Sequence, residues 1–359
     1  MQRDRGPRSV RILVTGGAGF VGSHVVDALL ARGHDLAVLD SLDPFVHAEL
    51  PDYLDGRAEL IVGDVCDAEV VSRAVRGADA VSHQAAIVGL GRGLADAPRY
   101  AMANDVGTAT VLRAAREAKV ERLVLASSMV VYGEGAYRCG ACGPRRPGPR
   151  KQRDLAQRRF EPRCPSCGGA LEPLPVDEDA LLDPRSIYAA TKVHQEHLAF
   201  VAMNEGGPPV TALRYHNVYG PRMPRDTPYA GVASLFQSQL AAGQAPRVFE
   251  DGGQRRDFVH VRDVARANLF ALERDEPAVG AFNVGSGAPR SVLELATALA
   301  DATPSAPSPT VTGEFRASDV RHVFASVERA ASVLGFRAEI PFAKGIAEFA
   351  RAPLREAVP

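Results

Sequence analysis

No stretch of this 359-residue sequence approaches the ~18 consecutive apolar residues that a membrane-spanning helix needs. The N-terminal MQRDRGPRSVR is charged and lacks an apolar centre, so it does not read as a secretory signal, and a cytoplasmic location is expected. There is no charge excess: 42 Lys and Arg stand against 43 Asp and Glu, a net charge of -1. That balance gives no global electrostatic case for a nucleic-acid or membrane partner. No internal repeat is visible. Cysteine is scarce. Five residues are too few for a disulfide scaffold of this length, and four of them form two Cys-x-x-Cys pairs, which in a cytoplasmic chain suggest metal before disulfide. What is present, 46% hydrophobic and 24% charged residues, is ordinary for a globular protein.

Up to Ser128 the chain alternates short apolar runs with longer helical stretches. RILVTG (11–16), LAVLD (36–40), LIVGD (60–64), AVSHQAA (80–86) and RLVLASS (122–128) are predicted to be buried parallel strands. Val21 to Arg32 and Asp105 to Ala118 have helical spacing. Strand and helix in alternation give an α/β fold, a doubly wound parallel sheet of the Rossmann type. Residues 134–174 break the rhythm. They are rich in Pro, Gly and Arg, carry both cysteine pairs, and within 138–163 hold nine Lys or Arg against Asp154 and Glu161. The α/β pattern returns near Pro184. From Gly220 onward it is less regular, which suits a smaller C-terminal lobe, and Thr303 to Pro309 is predicted to be an exposed loop.

TGGAGFVG (15–22) follows a strand and opens a helix. Gly16 permits the tight turn, Gly19 lets backbone approach a pyrophosphate, and Gly22 lets the helix pack on the strand, with the helix N-terminus favouring the anion. Asp40 ends the second strand 24 residues after Gly16. A carboxylate there accepts hydrogen bonds from ribose hydroxyls and repels a 2′-phosphate, which favours NAD over NADP. In SIYAATKVHQEH, Tyr188 and Lys192 share a helix face, and a cation beside a phenol is expected to lower its pKa from about 10, making Tyr188 a base near neutral pH. Ser128 ends a strand and can place a hydroxyl near the same point.

These segments, with GDV (63–65), HQAA (83–86), NDVGT (104–108), SSMVVYGEG (127–135), LRYHNVYGPR (213–222), GGQRRDFVHVRDVA (252–265), FNVGSG (282–287) and RASDVRHVFASVERAASVLGF (316–336), resemble the extended short-chain dehydrogenase/reductase family in its nucleotide-sugar epimerase/dehydratase branch. The resemblance runs from about Val10 to Phe336, leaving residues 136–174 outside the pattern. It implies a Rossmann domain over 8–134 and 175–216, an insert over 135–174, and a nucleotide-sugar-binding lobe over 217–359 with segments returning to the Rossmann domain. It implies that Tyr188 is the base and acid, that Lys192 binds the nicotinamide ribose, and that Ser128 hydrogen-bonds the reacting sugar oxygen. Gly16, Gly19, Phe20, Val21, Gly22, Asp40, Ser41, Asp64, Val65, Ala85, Ala86, Asn104 and Tyr215 would form the rest of the NAD site. Asn217, Arg256 and Arg316 would hold the nucleotide diphosphate, with Asp319 nearby; a guanidinium suits phosphate because it binds bidentately.

Relatives that dehydrate the sugar carry Asp-Glu directly after the Ser or Thr, whereas Met129 and Val130 stand there and neither moves protons in that way. The resemblance thus implies a 4-epimerase. For the sugar, AAIVGLGRG (85–93) together with the insert resembles bacterial epimerases acting on dTDP-L-rhamnose, and a UDP-hexose stays open. His216 stands where relatives often have Phe. A reductase making a net hydride transfer, a non-catalytic NAD-binding sensor and a zinc-ribbon interaction protein are the rival readings. A nucleic-acid partner is not expected, because the insert's aromatics are only Tyr137 and Phe160. The family also implies a homodimer, through the helix over Tyr188–Met203 and the helix from Ala103.

Cys139-Gly-Ala-Cys142 and Cys164-Pro-Ser-Cys167 are separated by 21 residues, and each pair is followed by glycine. Two such knuckles can offer four thiolates tetrahedrally to a structural Zn2+, folding a segment with too few apolar residues to hold itself. A disulfide-linked loop and a ribbon that no longer binds metal remain open. The insert sits between the strand bearing Ser128 and the helix bearing Tyr188, so it should emerge at the site's rim, capping the sugar pocket or meeting a partner. Cys66 is expected to be a small buried residue.

Overall fold

The structure is a computed structural model that describes residues 9–44, 46–47, 49–89, 93–225, 231–316 and 319–355. Part of the 85–93 segment and most of the N-terminal stretch read above lie outside the described residues. Seven strands form one parallel sheet: β1 (Arg11–Thr15), β2 (Asp35–Asp40), β3 (Glu59–Val62), β4 (Ala80–His83), β5 (Arg122–Ser128), β6 (Val210–Tyr215) and β7 (Gly280–Val284), in the order β7-β6-β5-β4-β1-β2-β3. The chain runs outward from β1 to β3, then crosses back to β4 on the other side of β1. That reversal opens a crevice at the C-terminal ends of β1 and β4, where open α/β sheets bind ligands.

Both faces of the sheet are covered, so the strands are apolar on both sides, yet alternation still sorts the residues. Ile12 and Val14 join one core with Val26 and Leu29 of helix α1 (Phe20–Ala31); Leu13 joins the other with Val71 of α2 (Ala68–Ala74) and Val111 of α3 (Gly107–Glu117). Helix α4 (Ile187–Asn204) packs on that second face through Ala199. It starts where Pro184 ends the preceding segment, and the Ser186 hydroxyl caps it by accepting from the Ala189 amide at 3.1 Å. The expectation of a buried strand fails at β3: Glu59 is exposed and Val62 is 60% exposed, because β3 is the last strand and pairs only with β2.

Beyond β6, helices α5 (Val232–Ala241), α7 (Val292–Ala302) and α8 (Phe342–Phe349) surround a third core that includes Phe236, Leu295 and Phe349. Helix α6 (Val261–Leu272) instead packs against α1, and β7 closes the main sheet. Residues 303–309 form a loop. The insert is a three-stranded antiparallel sheet in the order Gly143–Arg145, Ala136–Cys139, Leu171–Leu174. Its own apolar cluster is small, Tyr137, Cys139, Cys164 and Leu171, with Leu155 and Phe160 buried outside it. Among the described residues no helix is long and apolar enough to cross a membrane.

Candidate active site and cofactor cleft

A single cleft of ≈ 1660 Å³ runs from the glycine loop across the strand ends to the C-terminal lobe. At one end, Gly16 sits at φ +67°, and a Cβ on it would lie 2.6 Å from the Ala85 nitrogen. A Cβ on Gly22 would lie 2.1 Å from the Gly16 carbonyl oxygen, so the helix and the turn touch backbone to backbone. Gly19 caps α1 without a side chain, leaving the first amides of the helix for an anion. Gly22→Ala should therefore cost about 1–3 kcal/mol by overpacking and strip co-purifying NAD, read as a fall in the melting temperature and in the 260 nm absorbance of purified protein. Retention of the wild-type cofactor content would refute the role given to this turn.

Asp40 is buried at the end of β2. Its Oδ2 accepts from the Ala18 amide at 2.9 Å and its Oδ1 from the Leu42 amide at 2.9 Å. Each oxygen keeps a lone pair for a sugar hydroxyl. Ser41, Asp64, Val65, Ala85 and Ala86 all line the cleft, as do Phe20 and Val21. Asn104 does not line it. That side chain is wholly buried behind the wall, where it accepts from the Ile87 amide at 2.8 Å and donates to the Ile87 carbonyl and the Thr191 hydroxyl. It braces the Ala85–Ile87 stretch rather than forming the surface. Cys66 is half-buried and lines the cleft instead of packing inside; its thiol donates to the Met102 carbonyl, and burial pushes its pKa up to about 11.

Ser128 and Tyr188 meet at the centre of the cleft. Lys192 lies beneath Tyr188, off the surface. Its Nζ is 6.0 Å from the phenol ring centroid and donates to the Ala126 carbonyl at 2.8 Å. The expected lowering of the phenol does not occur in this arrangement. Burial pushes Tyr188 up to about 12, with the Ser128 hydroxyl pulling the other way, and burial brings Lys192 down to about 8. At this distance from the ring, desolvation outweighs the cation.

One helical turn further on, Glu196 continues the Tyr188–Lys192 row, a residue not singled out from the sequence. It accepts from the Ser127 hydroxyl and, through both oxygens, from Arg214 at 2.9 and 2.7 Å. Arg214 also donates to the Tyr132 hydroxyl and the Glu178 carbonyl. The 188, 192, 196 spacing was the available signal. Tyr215 lines the cleft with its hydroxyl held by Gln84 and Asn268, and burial pushes it up to about 12. His216 is also buried, joined through Nε2 to Asn283 at 3.4 Å.

At the far end lie Asn217, Arg256, Arg316 and Asp319. The Asn217 Oδ1 is buried without a hydrogen-bond partner. Arg256 donates to the Arg255, Val320 and Arg321 carbonyls, and Arg316 stacks over Phe249 at 5.2 Å. Asp319 is pushed up by burial, against the pull of Arg256 and Arg316.

The four paired cysteines converge: their sulfurs all lie within 4.8 Å of one another, with Cys139 and Cys167 3.5 Å apart, and no cysteine is bridged. Tetrahedral Zn–S bonds of ~2.3 Å place sulfurs about 3.8 Å apart, so the spacing fits that ion. No described residue of the insert lines the cleft. The expectation that it caps the sugar pocket is not met, because it docks behind the wall of the C-terminal lobe, through Arg150 and Glu161.

Residues 12–153 and 166–285 match the model of the "NAD dependent epimerase/dehydratase family". A dTDP-L-rhamnose 4-epimerase from Burkholderia thailandensis is 35% identical over 94% of this chain and 93% of its own length. Thermus thermophilus UDP-glucose 4-epimerase, solved with NAD, is 31% identical with a TM-score of 0.75, over 95% of this chain and 97% of that one. A UDP-N-acetylglucosamine 4-epimerase from Methanobrevibacter ruminantium, in complex with UDP-N-acetylmuramic acid, has a TM-score of 0.78 at 26% identity, over 96% and 98% of the two chains.

Proposed function

This chain belongs to the NAD-dependent epimerase/dehydratase family, and from that premise we propose that it is an NAD-dependent nucleotide-sugar 4-epimerase, with dTDP-L-rhamnose as substrate ahead of a UDP-hexose. One observation carries the reading: Tyr188 and Ser128 face the cleft, and the two positions directly after Ser128, also in its lining, are Met129 and Val130, neither of which can move a proton for elimination. Tyr188 takes the proton of the C4 hydroxyl and returns it to the same oxygen once the 4-keto sugar has turned over, so that C4 is inverted by hydride arriving at its other face. Ser128 holds the same oxygen. The nicotinamide, when bound, supplies a hydride acceptor and donor at C4. Lys192 acts from beneath, supporting the phenolate by charge. Asp40 favours NAD over NADP through its free lone pairs. Asn217, Arg256 and Arg316 hold the nucleotide diphosphate, with Asp319 nearby.

The dTDP-L-rhamnose preference is supported by the B. thailandensis relative. Purified protein incubated in heavy water with dTDP-L-rhamnose, and separately with UDP-galactose and UDP-glucose, should give the C4 epimer of one of them by proton NMR. No deuterium should enter, and no NADH should accumulate at 340 nm. Deuterium at C3 or C5, or lasting NADH, would overturn the reading.

The four cysteines hold one structural Zn2+, a stoichiometry that elemental analysis reads. The protein is a homodimer. Met102 and Val106, one helical turn apart and 53% and 42% exposed, with Val201 of α4 55% exposed, offer an apolar face for it. A monomer mass by light scattering would sink that assignment.

A further inference from the structure

We propose that the insert shapes the nucleotide end of the cleft from behind, with Arg150 as the positioning residue; this rests on reading that end as a nucleoside-diphosphate site. Arg150 lies between the two cysteine pairs, and its side chain is 4% exposed. Its Nη1 donates to the Glu250 Oε2 at 2.9 Å, and its Nη2 stands 2.8 Å from the Oε1. The same guanidinium donates to the Asp319 main-chain carbonyl, at 2.6 Å from Nη2 and 3.2 Å from Nε.

Glu250 is shared. Its Oε2 also accepts from Arg321 at 2.8 Å. Arg321 is fully buried and grips Asp251 of the lobe and Glu161 of the insert, and Glu161 also meets His322 at 3.0 Å. From the insert's base, Glu134 accepts from the Arg321 amide at 2.7 Å. The segment 319–322 is thus gripped on two sides. On the cleft side, Arg256 takes the Val320 and Arg321 carbonyls at 2.7 and 2.9 Å; from behind, Arg150 takes the Asp319 carbonyl. Arg256 and Asp319 line the cleft and Arg150 does not.

A planar fork that fixes a carboxylate and a carbonyl together sets where the main chain sits, which a point charge does not. Such placement matters steeply, since a misplacement of about 1 Å by a distant mutation can cost about 10²-fold. The insert therefore acts on the affinity for a nucleoside diphosphate without touching it, and leaves the NAD end alone.

The test uses the full chain. In Arg150→Met, the Kd of dTDP or UDP by titration calorimetry should rise about tenfold or more, with the substrate KM rising in step, kcat at saturation within about threefold, and NAD content unchanged. Arg150→Lys, which keeps the charge and loses the fork, is the milder variant should the first not fold, and about threefold is expected of it. A Kd within about twofold of wild type in whichever variant folds would overturn the proposal, as would a joint fall of kcat and bound NAD, which marks a scaffold residue. If wild-type protein bound neither dTDP nor UDP, the reading of the cleft itself would fall, and the proposal with it.

Discussion

Tyr188→Phe should lower kcat by about 10³-fold or more while leaving bound NAD and nucleoside-diphosphate affinity in place, since a positioned general base contributes about 10²–10⁴-fold. The ring is buried and packs against Tyr100 at 6.1 Å, so phenylalanine keeps the packing and loses only the oxygen. Burial pushes the phenol up, against a role as base at neutral pH. A positive charge is required to bring it down, and Lys192, itself near 8, is the protein's nearest contribution. The sign follows. The active phenolate is favoured as pH rises, so kcat should rise through the neutral range. Lys192→Ala removes a cation and should move that rising limb to higher pH. A pH–rate profile of the wild type and of Lys192→Ala checks both points. Activity of Tyr188→Phe above about a tenth of wild type would mean that another group takes the proton, and a limb moving to lower pH in Lys192→Ala would contradict the role of the lysine.

Local chemistry was legible in the sequence, and distant chemistry was not. The glycine loop could be read because its constraints lie within eight residues and follow from backbone sterics. β1, β2, β4 and β5 could be read because parallel strands covered on both faces are continuously apolar. β3 reads the same way and is an edge, since the sequence does not say which strand comes last in the sheet. Tyr188, Ser128 and Arg256 line the cleft, but Asn104 and Lys192 stand behind it, a distinction of depth that spacing does not encode. The cluster joining Glu134, Arg150, Glu161, Glu250 and Arg321 spans nearly two hundred positions of sequence, and no local pattern marks it. The use made of the insert's basic excess is hidden for the same reason. Arg150 is used up internally, and Arg146 donates to the Tyr132 and Leu181 carbonyls, so part of that charge never reaches the solvent as a binding face.

With the four cysteines read as a zinc site, chelation should unfold the insert before the rest of the chain. Apparent zinc-binding energies of about 10–16 kcal/mol in small zinc domains far exceed what so small an apolar cluster can supply. Without the ion, the two knuckles lose the tie between Cys139 and Cys164, and the strand Leu171–Leu174 loses its anchor on Ala136–Cys139. The main sheet has its own cores and should persist. Trypsin is the direct reporter, because Lys151, Arg153, Arg158 and Arg163 are exposed around a five-residue helix that depends on the insert for its place. Chelator-treated protein, or Cys164→Ser, should be cut in this stretch much faster than the metal-loaded chain, while the fragments stay together and keep NAD. The pH dependence runs one way. A thiol of ordinary pKa, about 8.5, is mostly protonated at neutral pH, so binding zinc as thiolates must displace protons, and acidification, by returning them, must release the ion. Calorimetry of zinc uptake in buffers of different ionisation enthalpy measures that proton release. Trypsin resistance that survives chelation, with no zinc in the purified protein, would mean that the Arg150–Glu161–Arg321 contacts alone hold the insert and that the four cysteines are no longer a metal site.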